Sequence, residues 1–554
     1  MKKFLLPFIL ALGVLVLVNV LGSFLYARWD VTEDERYTLS EAAINTVVPF
    51  DSPVTVQVLL DGDLPAEFLK LKTETRQLLE EFAAENSNIS FYFEDPLANS
   101  GDTNPIMAQL QSQGITPAGV TIEDNGKVSQ ELLYPWAILK HNEKTINIRL
   151  LKDKLGATSE DRVNNSVQHL EYAFADAFMR LKLTDKKQVA VIKGNGELQD
   201  IYVADYLRTI QDYYNIAAFT LDSVASNPQK TLDHLKTFDL ALIAKPTEAF
   251  SDAEKYVLDQ YMVQGGSTMW LIDQVAMELD SLFNEKGTNL AYPRKLKLDD
   301  LFFNYGLRLN AVLVNDMYCS SIVLAKGEGN SSEYNPVPWV YNPMVFSRNT
   351  HPINKNLEAL RFQFAGSIDT LANENQKTIL YSSSPLSRPD ATPKQISFEI
   401  LNRAPDKAQY TQGKLPLAVL VEGKFKSAYR NRVKPLKLTG TQEQGEENKM
   451  LVVADGDIIK NQIRQGRPLE LGYDKWTNNS FGNKEFLVNS INYLLDDAGL
   501  INIRNKNVAI PFLDQEKIAA QKTKWQLINV VIPVVLTILL GLFFNMLRKK
   551  KYGA

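Results

Sequence analysis

Gln188 to Tyr214 reads QVAVIKGNGELQDIYVADYLRTIQDYY. Val189 to Lys193 is a short apolar run suited to a strand buried on both faces, Gly194-Asn195-Gly196-Glu197 is a turn, and Ile201 to Tyr214 has helical apolar spacing. The pattern recurs in Asp239 to Ala244, a strand, then Asp252 to Gln264, a helix stopped by Gly265-Gly266, then Thr268 to Ile272, a strand. Strands alternating with helices imply a mostly parallel, doubly wound sheet. Further apolar strands are expected at Ala311 to Val314, Thr378 to Tyr381, Leu417 to Val421 and Leu451 to Val453. A closing helix, Glu485 to Leu495, places Phe486, Leu487, Ile491, Leu494 and Leu495 on one face. Residues 186–510 therefore read as one enlarged Rossmann-like α/β domain, with the polar stretch Thr439 to Lys449 as a flexible insertion.

Upstream, residues 51–185 read as a separate domain. Val54 to Leu60 is a strand, Ala66 to Asn86 a helix, Ile89 to Phe93 a strand and Pro105 to Gln113 a short helix. Val120 to Glu123 is a strand, Glu131 to Ile148 a strand pair turning at His141-Asn142, and Val163 to Leu183 a helix. The order βαβαββα is that of a thioredoxin-like core, and Thr116-Pro117 stands where that fold often carries a cis-proline. Thiol redox chemistry needs a cysteine pair at the first helix. This segment has no cysteine, so the fold serves as a scaffold or binding surface.

The ends of the chain are apolar. Leu527 to Leu547 is 21 residues without a charge, enough at about 1.5 Å per residue to cross a hydrocarbon core of about 30 Å. Trp525 and Arg548-Lys549-Lys550-Lys551 flank it as an interfacial aromatic and a cytoplasmic basic tail. Phe4 to Ala27, behind Lys2 and Lys3, is a second uncharged run of 24 residues. A cleaved signal peptide would have an apolar region of roughly 7 to 15 residues and a small-x-small site, which Leu25-Tyr26-Ala27 fits poorly. The expectation is an uncleaved anchor at 1–27, a connector at 28–50 with Ser40 capping a helix, a juxtamembrane connector at 511–526, a second span at 527–547 and a basic tail at 548–554.

Composition excludes several functions. With 65 acidic and 60 basic residues the chain lacks the basic excess of a nucleic-acid binder. Cys319 is the only cysteine, which excludes an intrachain disulfide and a cysteine metal cage. Gly194-Asn195-Gly196 lacks the third glycine of a dinucleotide fingerprint, Gln199 taking its place, and reads as a structural turn. No P-loop occurs. Asp455-Gly456-Asp457 has no calcium-loop spacing and reads as a turn. His141, His169, His234 and His351 form no zinc motif, and Cys319 stands outside a nucleophile elbow. No catalytic residue, cofactor or metal ligand is expected.

The candidates for contact are different. Tyr334 to Phe346 (YNPVPWVYNPMVF) offers Trp339 and Tyr341 as rigid aromatic anchors, or as rings filling the lobe's own core. Asn529 and Asn545 are interhelical hydrogen-bond donors in a packed membrane helix. Lys424, Lys426, Arg430, Arg432, Lys434 and Lys437 form a basic run that suits an acidic partner or lipid headgroups, or is simply solvated.

Over nearly its whole length the chain resembles the GldG family of gliding-motility-associated ABC transporter auxiliary proteins of Bacteroidota. The resemblance is carried by Arg28-Trp29-Asp30-Val31-Thr32-Glu33-Asp34-Glu35-Arg36-Tyr37-Thr38-Leu39-Ser40, by His169-Leu170-Glu171-Tyr172 and by Gly194-Asn195-Gly196-Glu197. His351-Pro352-Ile353, Ala454-Asp455-Gly456-Asp457 and Gly482-Asn483-Lys484-Glu485-Phe486 extend it. The basic flanks put both termini in the cytoplasm and residues 28–524 across the membrane, and the resemblance implies that this is a bacterial inner membrane with a periplasmic ectodomain, the chain being placed with a polytopic ABC permease and, through it, a cytoplasmic ABC ATPase. It offers no catalytic residues. The expected function is a non-enzymatic accessory subunit contacting permease, membrane lipid and a periplasmic protein or cargo. The rivals are a membrane-anchored solute receptor and a Rossmann-like enzyme.

Overall fold

The protein is described by a computed structural model over residues 38–98, 103–124, 127–152, 157–326, 333–347, 350–495 and 515–553, together with Gly13. The expected N-terminal span and most of the Arg28 to Ser40 stretch lie outside the described residues. The class is mixed α/β, as expected. The chain divides into two compact units, residues 1–507 and 508–554.

The first unit begins with helix α1 (Glu41–Val47), where the Ser40 hydroxyl accepts the Ala43 N–H at 3.3 Å. Strand β1 (Val54–Val58) buries every second residue. It pairs in parallel with β2 (Ile89–Phe93), reached through helix α2 (Ala66–Glu85). Helix α3 (Asn104–Ser112) leads to β3 (Ala118–Asp124) and β4 (Lys127–Leu133), which among the described residues pair only with each other. Strand β5 (Trp136–His141) runs antiparallel to β1 and turns tightly into β6 (Lys144–Arg149), with Asn142 at φ 52°. The four-stranded order is β2-β1-β5-β6. One core unites Phe68, Leu71 and Phe82 of α2 with Val54, Val56, Ala137 and Leu139 of the sheet and with Phe174 and Phe178 further on.

Three expectations change here. The run from Glu131 to Ile148 breaks at Pro135, which has no N–H to give a ladder, so residues 131–133 join β4 instead. The helix expected over Val163 to Leu183 is two, α4 (Ser159–Val167), capped by Thr158, and α5 (Leu170–Lys182). The cis peptide bond among the described residues is Thr392–Pro393, not Thr116–Pro117.

The larger sheet is built from β7 (Gln188–Lys193), β8 (Asn215–Thr220), β9 (Leu240–Ala244) and β10 (Ser267–Leu271), connected by helices α6 (Asp200–Ile210), α7 (Pro228–Leu235) and α8 (Asp252–Val263). A long insertion follows, containing β11 (Cys319–Lys326) and β12 (Glu333–Val345), an antiparallel pair. The chain returns through β13 (Gln376–Ser382), β14 (Pro416–Lys426) and β15 (Gln444–Val453) and closes with helix α9 (Asn483–Leu495). The strand order is β13-β14-β15-β10-β9-β7-β8, parallel from β15 to β8 and antiparallel across β13, β14 and β15.

The continuous apolar runs follow from this position. Ala190, Ile192, Ala241 and Ile243 face one core with Tyr256 and Met262 of α8. Val189, Val191, Leu240 and Leu242 face a second with Tyr206 of α6 and Phe486 and Ile491 of α9. Both faces are covered, so alternation disappears. The strand expected near Ala311 exists as Val312–Asp316 but pairs with Ser387–Ala391 outside this sheet. The stretch expected as a flexible insertion is in part ordered, since its residues 444–449 belong to β15. Pairing with β14 and the 3.5 Å contact of Lys424 with Glu446 accommodate its polar residues.

The two sheets are tied within this unit. Lys152 Nζ lies 3.0 Å from Glu485, the Tyr213 hydroxyl donates to Asp176 at 2.8 Å, and Arg180 reaches Asp212 at 3.2 Å.

The second unit is helix α10 (Gln515–Tyr552), of which Lys524–Tyr552 is long and apolar enough to cross a membrane. Among the described residues it is the one such helix. Pro533 sits inside it, and the Thr537 hydroxyl donates to the Pro533 carbonyl at 2.7 Å.

Candidate functional site

In open parallel sheets, ligands bind beyond the carboxyl ends of the strands. Register makes that edge specific here. Ala244 of β9, Leu271 of β10 and Val453 of β15 stand level, because Leu271 pairs with both of the others. The residues just past these strand ends therefore converge, and they are Lys245, Asp273 and Asp455-Gly456-Asp457. Lys245 takes a left-handed backbone, φ 54°. Its ammonium lies 2.5 Å from Asp457, 2.6 Å from Glu278 and 3.3 Å from Asp273. Gly456 lets the lysine stem pass, since a Cβ there would come within 2.6 Å of Lys245 Cγ.

Lys245, Asp273 and Asp455 are at most 3% exposed. Burial pushes the Asp273 carboxyl up to about 6, with Lys245 opposing. Burial, with Asp273 and Asp457 alongside, raises Asp455 well above the carboxylate range. Asp457 is equally desolvated, yet Lys245 and Lys460 hold it below that range. The Gly456 N–H donates to Asp273 at 2.5 Å, and the Asp457 and Gln363 N–H groups donate to Asp455 at 2.7 Å each. Asp273, Glu278 and Asp457 bring carboxylate oxygens within 4.8 Å of one another, a spacing suited to a metal. The Lys245 ammonium already occupies the centre of that set, so the cluster carries its own cation.

The Gly194 turn lies beyond β7 on the same edge. A backbone nest here would suit a phosphate. Instead the Asn195 N–H donates to the Glu197 carboxylate at 2.8 Å, and the Asn195 carbonyl accepts the Thr247 and Glu248 N–H groups at 2.9 Å each. The turn's own glutamate fills the anion position, and Gly196, at φ 73°, has Thr247 packed where a side chain would be.

A cavity of about 570 Å³ opens beside the charged cluster, with Glu278, Asp457 and Lys460 on its wall. A second cleft of about 430 Å³ runs between the two sheets, where Arg180 is matched by Asp176 and Asp212.

The expected contact residues are distributed otherwise. Trp339 and Tyr341 are 0% and 1% exposed, packed with Phe364, and Trp339 also meets Phe398. They fill the insertion's own core and offer no surface anchor. In the basic run, Lys424, Lys426 and Arg430 are paired with Glu446, Glu374 and Glu443. Burial raises the Cys319 thiol to about 11, with Asp316 adding to it. His141, His169, His234 and His351 pack edge-on or tilted against separate aromatic rings and do not meet. Asn529 and Asn545 are exposed on α10. At about 100° per residue they point roughly 160° apart, so a single neighbouring helix meets one of them.

Lys245, Asp273, Glu278 and Lys460 escaped the sequence reading. A signal was present in LALIAKP, MWLIDQ and LVVADGD, each an apolar strand ending at a charge.

Comparison with known families adds an independent finding. Residues 186–490 match the family described as an ABC-type uncharacterized transport system, and residues 33–140 match a domain of unknown function, DUF7088. No curated protein matches. Among solved structures, the mmIFT52 N-terminal domain aligns over 56% of this chain and 98% of its own, at 11% identity and a TM-score of 0.32.

Proposed function

The chain belongs to the ABC transporter auxiliary family, and from that premise we propose that it is a non-enzymatic accessory subunit of an ABC transporter linked to gliding motility, of the GldG type. Family membership implies association with the components of an ABC-type transport system. In this reading the partners are a polytopic permease and, through it, a cytoplasmic ATPase. Two helices anchor the chain in the bacterial inner membrane, the ectodomain is periplasmic, and it contacts lipid and a periplasmic protein or cargo.

The observation that carries the proposal is the coupling of the family match over 186–490 to a membrane-length helix at Lys524–Tyr552. One or two spans cannot line a transport pathway alone, which favours a subunit over a transporter. The sheet order β2-β1-β5-β6 supports reading residues 51–185 as thioredoxin-like, and the five parallel strands from β15 to β8 support a Rossmann-like reading of 186–510. The buried Lys245 cluster supports a structural role at the place where an enzyme of this topology would keep its chemistry.

The test is purification of the tagged chain from native membranes in mild detergent, with all co-purifying proteins identified. An ABC ATPase and a polytopic permease are expected near stoichiometrically. Recovery of neither would remove the subunit reading.

A further inference from the structure

We propose that two copies of the chain join edge to edge through β8, antiparallel about a two-fold axis at Ala218, so that their large sheets become one. The inference goes beyond the transporter role and does not depend on the identity of the permease. Strand β8 ends the seven-stranded order, and among the described residues no strand lies on its outer side.

Register fixes which backbone groups that side presents. The Asn215 N–H donates to the Lys187 carbonyl at 2.9 Å, and β8 then follows β7 residue for residue to Thr220 without a shift. In a parallel ladder alternate residues turn to the same neighbour. Asn215, Ala217 and Phe219 therefore serve β7, and the N–H and C=O groups of Ile216, Ala218 and Thr220 point outward. Asn215, Ala217, Ala218 and Thr220 are exposed, so the strand is open to solvent.

Edges of native sheets are commonly guarded by a charge, a proline or a bulge. The opposite edge of this sheet is guarded, since β13 carries Lys377 and its pairing with β14 shifts between Ile379 and Tyr381 and again before Ser382. Asn215 to Thr220 contains no charge, no proline and no bulge. One edge thus resists a further strand and the other accepts one.

Self-complementarity selects the occupant. A two-fold axis sets the same edge of two copies antiparallel. Centred on Ala218, it pairs that residue with its own copy and Ile216 with Thr220 of the other, so the outward donors and acceptors meet. Ala217 then stands opposite Phe219 of the other copy, a small side chain against a large one. Charge agrees with this arrangement. Asp222, exposed and without an ion pair among the described residues, follows one end of β8. Lys186 stands at the other end, where its carbonyl accepts Asn215 Nδ2 at 3.3 Å and its ammonium has the Gln211 carbonyl, not a carboxylate, as partner. Antiparallel pairing brings the acidic end of each copy to the basic end of the other.

The test uses the full-length chain in native membranes. In a Cys319→Ala background, Ala218→Cys is treated with a short bismaleimide. The two Cα atoms at the axis stand about 5.5 Å apart in such a pair, and a covalent dimer is expected. Asn215→Cys is the control, because the ladder places its two copies about 20 Å apart, out of reach of the reagent. Asp222→Lys added to Ala218→Cys should lower the dimer yield about threefold or more, and Lys186→Asp added to both should restore it. Unchanged thermal midpoints of the purified variants show that the yield does not report folding. If a charge variant does not fold, the comparison of Ala218→Cys with Asn215→Cys decides alone. The proposal is overturned if Ala218→Cys gives no dimer or links to a different protein, if Asn215→Cys gives as much dimer, or if the folded charge variants fail to lower and then restore the yield.

Discussion

Lys245 is the residue on which the carboxyl edge of the large sheet depends. It neutralises Asp457, Glu278 and Asp273 at 2.5, 2.6 and 3.3 Å while being 3% exposed itself. Breaking a buried ion cluster by removing one partner leaves charges desolvated and unmatched. Lys245→Met is therefore expected to destabilise the chain by about 3–5 kcal/mol, measured by denaturant unfolding in detergent. Asp273 gives a pH prediction. Its folded pKa, raised to about 6, lies above the ordinary carboxylate value of 3.8. The folded state then holds the proton more tightly than the unfolded state, so the Asp273 contribution is fully present below the ordinary value and is lost as pH rises through about 6. The thermal midpoint of the native chain relative to Asp273→Asn should fall between those two limits as pH rises. A constant difference would show that Asp273 does not titrate there.

At the scale of elements, legibility followed burial. Strands β7, β9 and β10 could be read because residues from both sides enter cores, leaving uninterrupted apolar runs. Strand β8, at the edge, exposes Ala217 and Ala218 and carries no such run, so its pattern is silent. Strand β15 misled for the opposite reason. Its first half, Gln444 to Lys449, is polar, and its order comes from β14 alongside and from a close backbone approach. A Cβ on Gly445 would stand 1.8 Å from the Val263 carbonyl oxygen. Gly445→Ala must push β15 away from the end of α8, and a loss of about 1–3 kcal/mol is expected in thermal or denaturant unfolding. The charged cluster was hidden because its members come from separate strand ends, brought level by register and not by sequence spacing. Trp339 and Tyr341 show the converse: aromatic residues among prolines look like a surface motif until their burial is known.

For the whole molecule, the apolar helix was the plainest feature of the sequence, because crossing a bilayer imposes length and composition directly. Its partners are a matter of side chains. Asn529 and Asn545 lie on nearly opposite faces of α10. The expectation is thus that Asn529→Leu and Asn545→Leu differ in effect, one weakening association with a membrane partner by about 1 kcal/mol and the other leaving it unchanged. Permease recovery in parallel purifications checks this, and equal loss in both would require two neighbouring helices. The continuity of α10 has a mechanical consequence. Roughly 18 Å of helix precedes Leu527 without a break, and its backbone hydrogen bonds make it stiff. A stiff helix of this length would carry any tilt of its apolar part to the Gln515 end, about 18 Å beyond Leu527, through a wider arc than the tilted part itself describes.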